Sequence, residues 1–459
     1  MNENNRTKKS SLLDRRNFLK ISSLTVAGAS LLGGGVAKAA GKTRPGKKSF
    51  SLFRKEYESI DDIYEISSTY KRMDQKKTIF SRAFWDSPIA EPQGLFKSFY
   101  GKFLGLLPNS MNSEPGFSPI AHALDVASWA GENTGAPMSS GGIRNYGPSN
   151  NWELHSNPTA AEKYNFESRS EARTNVKRAS KFLGADLVGI APYDERWVYS
   201  KWYDFSKTIY DENKKPVHED AKFPFEVKSV IAVAFEMDHD ALKAPGYISD
   251  SAVGLEYSHM TEVTHRIAVF LNHLGYKAIP CGNDTAMSIP IAAQAGLGEL
   301  SRMGILISEK YGPRIRLAKV FTDLEMDYDK PNTFGVQDFC KKCMKCADAC
   351  PSKSISLDQE PTIEPKTGCI SNHPGVKKWY QNQDKCLGQW EKLGTGCTLC
   401  VSVCPYNKLD TWVHDVAKLA VGVPVGRDIA RQLDDAFGYG KVKAENVEKF
   451  WSGLDEDLT

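Results

Sequence analysis

From residue 170 onward the apolar positions recur with two different periods, and the change from one to the other marks out the elements. Ser170 to Leu183 is highly charged around a narrow apolar stripe, the pattern of an amphipathic helix. Asp186-Leu-Val-Gly-Ile-Ala191 follows as a strand, and Lys228-Ser-Val-Ile-Ala-Val-Ala-Phe235 is a continuous apolar run suited to a strand buried on both faces. A helix is predicted from about Ser251 to Leu274, where Tyr257, Met260, Ile267, Leu271 and Leu274 share one stripe at three- and four-residue steps. Lys277-Ala-Ile-Pro280 leads to a loop, Cys281-Gly-Asn-Asp-Thr-Ala286, then to an Ala/Gly-rich helical stretch and Gly304-Ile-Leu-Ile-Ser308. Tyr311-Gly-Pro-Arg314 reads as a turn, and Ile315 to Phe321 returns as a strand. Helices alternating with strands, closed by this hairpin, predict an α/β (α+β) domain with a mixed sheet over residues 171–330.

Two side chains interrupt the apolar pattern in a way that asks for a partner. Tyr257 lies on the buried stripe, so its hydroxyl needs a hydrogen bond or a ligand. Arg316 shares its strand face with Ala318 and Val320, and a guanidinium on an apolar face has to be paired or to serve a site. Ala295-Gly-Leu-Gly-Glu-Leu-Ser-Arg-Met-Gly304 does not make a dinucleotide fingerprint, because Ser301 stands where the third glycine belongs and a helical stretch precedes it. Its glycines suit a tight turn or a close approach of backbone to something large and flat. Upstream, residues 40–170 are amphipathic near Glu56 to Met73 and then scatter Phe84, Trp85, Phe96, Tyr100, Phe103, Trp129 and Trp152 among Gly, Pro, Ser and Asn, as in an irregular wrapping unit.

The N-terminus changes the picture of where the chain goes. Asp14-Arg15-Arg16-Asn17-Phe18-Leu19-Lys20 precedes an uncharged stretch from Ile21 to Ala37 and then Ala37-Lys38-Ala39. That order of basic, apolar and small-residue regions is a signal peptide of the twin-arginine type, spanning residues 1–39. The uncharged stretch is 17 residues long and rich in Gly and Ser, shorter than the roughly 20 apolar residues of a membrane span. Removing residues 1–39 takes away seven basic and two acidic side chains and moves the formal charge from +3 to −2. The mature chain therefore has no electrostatic case for nucleic acid.

Cysteine spacing supplies the chemistry. Cys340-x2-Cys343-x2-Cys346-x3-Cys350-Pro351 is the bacterial ferredoxin run, and Cys386-x10-Cys397-x2-Cys400-x3-Cys404-Pro405 repeats it with the first gap stretched. In two-cluster ferredoxins the fourth cysteine of each run ligates the other cluster. Cys340, Cys343, Cys346 and Cys404 are thus assigned to one [4Fe-4S] cluster, and Cys386, Cys397, Cys400 and Cys350 to the second, within a ferredoxin-like domain over 331–410. Zinc knuckles need no third cysteine at this spacing followed by Cys-Pro. Disulfide frameworks belong to short secreted chains, whereas this one has 459 residues and 10 cysteines. A C-terminal segment, 411–459, completes the chain.

Taken together, this order of features resembles the respiratory corrinoid and iron-sulfur reductive dehalogenases. The motifs that carry the resemblance are Glu256-Tyr257-Ser258-His259-Met260, Gly282-Asn283-Asp284-Thr285-Ala286 and Tyr311-Gly-Pro-Arg-Ile-Arg316-Leu317, set between the signal and the two cysteine blocks. As a whole the chain looks closest to the branch acting on small chlorinated alkanes such as chloroform and trichloroethane. The resemblance implies a cobamide in a nitroreductase-like core, with no histidine to the cobalt from below. It implies Tyr257 as proton donor, Asn283 and Arg316 holding the substrate side, and Ser258, Cys281, Gly282 and Leu317 at the cofactor. Respiratory use further implies a small hydrophobic membrane-anchor protein, a membrane electron donor and a peripheral location on the outer face of the cytoplasmic membrane. Tyrosine titrates near 10 in water, and a nearby cation lowers the cost of its anion, by about 1.4 kcal/mol for each tenfold gain in acidity; Arg316 is the candidate cation. Cys281 and Cys369 depart from the expected ligand pattern, and buried thiols are the commoner fate of such residues.

Two other functions compete. An epoxyqueuosine reductase also pairs a corrinoid with two clusters, but a tRNA enzyme needs a basic face and a cytosolic address. A non-catalytic exported electron carrier would leave Tyr257 and Arg316 without a task.

Overall fold

The run expected to be buried on both faces is the second strand of a four-stranded sheet. In the computed structural model, which describes residues 54–83, 85–90, 114–131, 158, 162–204, 217–409, 431, 434, 440 and 442–453, the elements follow in this order. Helix α1 spans Pro119–Ser128 and α2 Arg169–Phe182; strands β1 and β2 span Leu187–Pro192 and Ser229–Glu236. Helix α3 covers Tyr247–His273, followed by β3 (Ala278–Cys281), α4 (Ser288–Gln294) and β4 (Ile315–Thr322). The sheet order is β1-β2-β4-β3, and every pairing is antiparallel, with Val233 opposite Ala318 and Ile279 opposite Phe321. The α/β class holds, but the mixed sheet is corrected to an antiparallel one among the described residues. Strands β2 and β3 run parallel, as a helical crossover through α3 demands. Strand β4, arriving later in the chain, inserts between them, so the parallel strands never touch.

Each sheet face has its own apolar layer. Ile231, Val233 and Phe235 of β2 and Ala318 and Val320 of β4 pack under Val176 of α2 and Met260, Val263, Ile267 and Leu271 of α3. On the other face, Val230, Ala232, Ala234, Leu317 and Phe321 meet Ile60, Tyr64, Met73, Trp197, Trp202 and helix α4. Each large side chain in these layers contributes roughly 1.5–3 kcal/mol by leaving water. Helix α3 has 27 residues, about 40 Å of rise, and starts a turn earlier than its periodicity predicts. Its first eight residues, from Tyr247 to Gly254, are all buried, so that part shows no amphipathic stripe from which its start could be read.

The glycines of the Ala295–Gly304 stretch serve the chain itself. Gly296 has φ +71, and a Cβ on Gly298 would lie 2.2 Å from the Ile307 carbonyl oxygen, which permits the hairpin of Glu299–Leu300 with Leu306–Ile307. Buried Glu299 then accepts the backbone N–H groups of Phe334 at 2.9 Å, Val336 at 3.1 Å and Gln337 at 2.9 Å. Those groups open helix α5 (Val336–Cys343), so a carboxylate of the core anchors the cysteine-bearing region at a helix N-terminus. That region continues as α6 (Lys345–Ala349) and α8 (Leu399–Ser402) around Phe334, Phe339, Ile355, Val403 and Tyr406, with α7 (Gln383–Leu393) packing Leu387 against Ala83.

All described residues belong to one unit, 49–459. The signal segment 1–39, the residues up to 53, Phe84, Phe96, Tyr100, Phe103, Trp152 and most of 411–459 lie outside the described residues. No helix among the described residues is long and apolar enough to cross a membrane.

Candidate functional site

Three elements meet at one hydroxyl. Helix α3 presents Tyr257, the loop after β3 presents Asn283, and β4 presents Arg316. The Asn283 side-chain amide donates to the Tyr257 oxygen at 2.5 Å. The Arg316 guanidinium carbon lies 5.5 Å from the centre of the Tyr257 ring, on its face. Its Nε is buried without a hydrogen-bond partner among the described residues. Trp129, just past α1, stacks on the same ring at 5.0 Å and 22°. Room for that indole comes from Gly254, where a Cβ would fall 2.4 Å from Trp129 Cδ1. Tyr257 is half-buried and Asn283 exposed, so the trio faces accessible space with a proton, an amide donor and a cation.

The loop carrying Asn283 is held by a residue that the sequence pattern did not single out. Lys319 is fully buried on β4, and its ammonium donates to the Gly282 carbonyl, to those of Asp284 at 2.9 Å and Ala286 at 2.7 Å, and to Ser288 Oγ at 3.0 Å. Burial lowers its pKa, and the charge of Asp284 opposes that. Burial pushes the Asp284 carboxyl up to about 6, against the pull of Lys319 and a hydrogen bond from Thr285. Thr285 itself has φ +67, a strained conformation for a β-branched residue. Its carbonyl accepts from the Tyr199 N–H at 3.2 Å and Trp202 Nε1 at 3.1 Å, which hold it there. The available signal for Lys319 was an ionisable side chain inside the apolar run from Ile315 to Phe321.

Not every expected site residue reaches the trio. Tyr257 packs with the α3 layer, whereas Cys281 and Leu317 are buried in the layer on the other sheet face. Their side chains are core, because strand alternation turns Leu317 away from Arg316. Gly282 offers its carbonyl to Lys319, and Ser258 Oγ donates to the Ser128 carbonyl at 2.7 Å, tying α3 to α1. Cys281 and Cys369 are both buried thiols.

The eight remaining cysteines fall into two neighbouring groups. Burial pushes the Cys340 and Cys346 thiols up to about 12 and Cys343 to about 11. Burial also raises Cys404, and the charges of Cys346, Cys340 and Cys343 add to it. Cys386, raised by burial to about 12, feels Cys397 and Cys350. Cys400, likewise raised, feels Cys346, Cys386, Cys397 and Cys350, which places the two groups side by side. Thiols held this high stay protonated unless a metal cation takes the proton's place. Cys340, Cys343, Cys346 and Cys404 line one small, mostly apolar cavity together with Arg302, Phe339 and Tyr406, a convergence of four thiols of the kind an iron-sulfur cube requires. No three His, Cys, Asp or Glu side chains among the described residues converge on a single ion; a cube instead takes one thiolate at each of four irons. The second group is the one that abuts helix α3: Thr395 Oγ1 donates to Asp250 at 3.1 Å, and Cys397 feels that carboxylate.

Residues 339–407 match the 4Fe-4S double cluster binding domain family. The tetrachloroethene reductive dehalogenase of Desulfitobacterium hafniense is 34% identical, with 97% of each chain covered. The trichloroethene reductive dehalogenase of Dehalococcoides mccartyi is 30% identical over 43% of this chain and 35% of its own. Among solved structures, a reductive dehalogenase described with a mechanism for B12-dependent dehalogenation superposes with a TM-score of 0.64 at 21% identity. That match covers 90% of this chain and 52% of the other, so this chain spans about half its length and the likeness speaks for the fold. With cysteine groups suited to two clusters beside a Tyr–Asn–Arg site, and with 34% identity across 97% of both chains, the chain belongs to the reductive dehalogenases.

Proposed function

We propose that the protein replaces a carbon–halogen bond of a small chlorinated hydrocarbon, a chloroalkane, by carbon–hydrogen, as the terminal reductase of organohalide respiration. The observation that carries this reading is the Tyr257 hydroxyl held by Asn283 with Arg316 on its ring face. The reaction consumes two electrons and one proton and releases halide. When bound, a corrinoid supplies the reductant for the carbon–halogen bond, and two [4Fe-4S] clusters, on Cys340, Cys343, Cys346 and Cys404 and on Cys386, Cys397, Cys400 and Cys350, supply the path by which electrons reach it.

The chain's own residues handle the proton. Tyr257 donates it to carbon. The Asn283 amide, already pointed at the oxygen, keeps its hydrogen bond as the phenol becomes phenolate, and Arg316 lowers the cost of that anion. Trp129, stacked on the ring, stops it from swinging away. An arginine whose buried Nε lacks a partner among the described residues is also poised to receive a ligand.

Arg15 and Arg16 support export by the twin-arginine route to the outer face of the cytoplasmic membrane. There a small hydrophobic anchor protein holds the enzyme beside a membrane electron donor. Replacing both arginines by Lys is expected to leave uncleaved precursor in the cytoplasm.

The decisive test is halide release by anaerobically reconstituted protein across a panel of chloroalkanes and chloroethenes. Protein with about eight iron atoms and one cobalt is expected to release chloride fastest from a chloroalkane. Preference for tetrachloroethene, the substrate named for the full-length relatives, would overturn the chloroalkane part alone; no halide from any member would overturn the whole reading.

A further inference from the structure

The region between the two cysteine blocks forms a cleft of about 330 Å³ that the proton-donating site does not use. One wall includes Ser354, whose hydroxyl lies 3.3 Å from Cys350 Sγ. The wall also includes Ser356 and Asp358, whose carbonyls accept from Arg302 at 2.7 and 2.6 Å; the same guanidinium donates to the Cys340 carbonyl at 3.0 Å. The cleft is therefore one side chain away from a ligand of each proposed cluster.

Its charge is uneven. Of the two acidic residues that line it, Asp358 is engaged by Lys366 at 3.5 Å and Glu360 by Lys341 at 2.9 Å. Lys378 and Lys385 line it with no carboxylate partner among the described residues. Lys378 sits over the Tyr380 ring at 5.0 Å, and burial alone pushes its pKa down to about 8. A half-buried ammonium with no carboxylate partner among the described residues gains from an anion brought to it.

We infer that this cleft is where electrons enter: it binds the anionic group of a small two-electron reductant, through Lys378 and Lys385, beside the cysteine ligands. The inference rests on the proposed cluster ligation and extends it by placing the donor. For a hydroquinone donor the balance closes. The hydroquinone loses two electrons and two protons and becomes the quinone; chlorocarbon takes two electrons and one proton and becomes hydrocarbon and chloride; one proton is released. Shape favours a small molecule over a protein surface, because the cationic groups line a concavity instead of standing on a convex face.

The probe is anthraquinone-2,6-disulfonate, used with the reconstituted holoenzyme. Equilibrium dialysis of the oxidised probe is expected to show binding that weakens with salt and falls about tenfold in Lys378→Ala and in the rim variant Lys385→Glu, with Lys378→Arg close to parent. With the reduced probe as donor, KM for the probe rises about tenfold in the two weakened variants. Turnover driven by reduced methyl viologen, a cation, stays within about twofold of parent. Unchanged probe binding in Lys385→Glu, which stands at the exposed rim and leaves the core intact, would overturn the inference. So would an equal fall with both donors. Failure of the dehalogenase reading looks different: neither donor yields halide in the parent, while dialysis still reports on the cleft.

Discussion

Arg316 and Lys319 stand three residues apart on one strand and turn to opposite faces of the sheet, and they are used in opposite ways. Lys319 spends its donors on three backbone carbonyls and a hydroxyl of one loop, fully shielded from water. Arg316 keeps a buried Nε without a partner among the described residues and lays its guanidinium on the ring of Tyr257. A buried cation with every donor satisfied is a structural clamp. One with a donor in reserve is available to chemistry. The clamp fixes Asn283, and Asn283 and Arg316 then address the same tyrosine from different sides.

The comparison can be broken most sharply at the tyrosine. Tyr257→Phe keeps the ring and its contacts with Trp129 and Arg316 and removes the hydroxyl, so cofactor content is expected to survive while halide release falls about a hundred- to ten-thousand-fold. A residue that only satisfied a core hydrogen bond would instead cost roughly 1 kcal/mol of stability and little rate. At Arg316 the Leu variant is expected to lose about a hundredfold in turnover and the Lys variant less, since it keeps the charge but loses the planar fork. Equal losses would mean that shape, not charge, matters there.

At Lys319 the sign of the readout changes. Lys319→Met strands three carbonyls and is expected to lower unfolding free energy by about 3 kcal/mol. Its rate loss should be smaller than that of Tyr257→Phe, because the hydroxyl remains. An unaltered denaturation midpoint would deny the clamp. Asp284 sharpens the same point through pH. Its carboxyl is raised to about 6 in the folded chain, so between roughly pH 4 and 6 the unfolded chain loses this proton first and folding weakens as pH rises, by up to about 3 kcal/mol. Above pH 6 the effect is constant. Asp284→Asn should remove that slope relative to parent in pH-resolved denaturation. The smallest effect is expected at Cys369, a buried thiol 3.2 Å from Asp384: Cys369→Ala should cost about 1 kcal/mol and no iron, whereas Cys397→Ala should lose one cluster.

Part of this was legible from local pattern. The cysteine runs declare themselves because closely spaced cysteines ending in Cys-Pro occur in both, even with the first gap of the second stretched to ten residues, and the stripe on α3 put Tyr257 on an inward face before any contact was known. The glycines near Gly298 were readable as a tight approach but not as an approach to Ile307, since what they approach lies across a hairpin. Trp129 could be placed only as a core aromatic, because its stacking on Tyr257 joins residues 128 positions apart. Arg302 gives no local signal for the same reason: its acceptors at Cys340, Ser356 and Asp358 are backbone groups that no side-chain pattern announces.

By itself, then, the sequence determined what is periodic or closely spaced: the strands and helices of the core, the double-cluster cysteine pattern, and the candidacy of Tyr257, Asn283 and Arg316. Only the tertiary structure decided that β4 separates two parallel strands, that Cys281 and Leu317 face the core, that the second cysteine group is the one against α3, and that Lys319 clamps the loop. Those outcomes depend on which distant segments become neighbours, and neighbours are chosen by how apolar faces are buried and backbone donors satisfied over the whole chain, which no short window of residues contains.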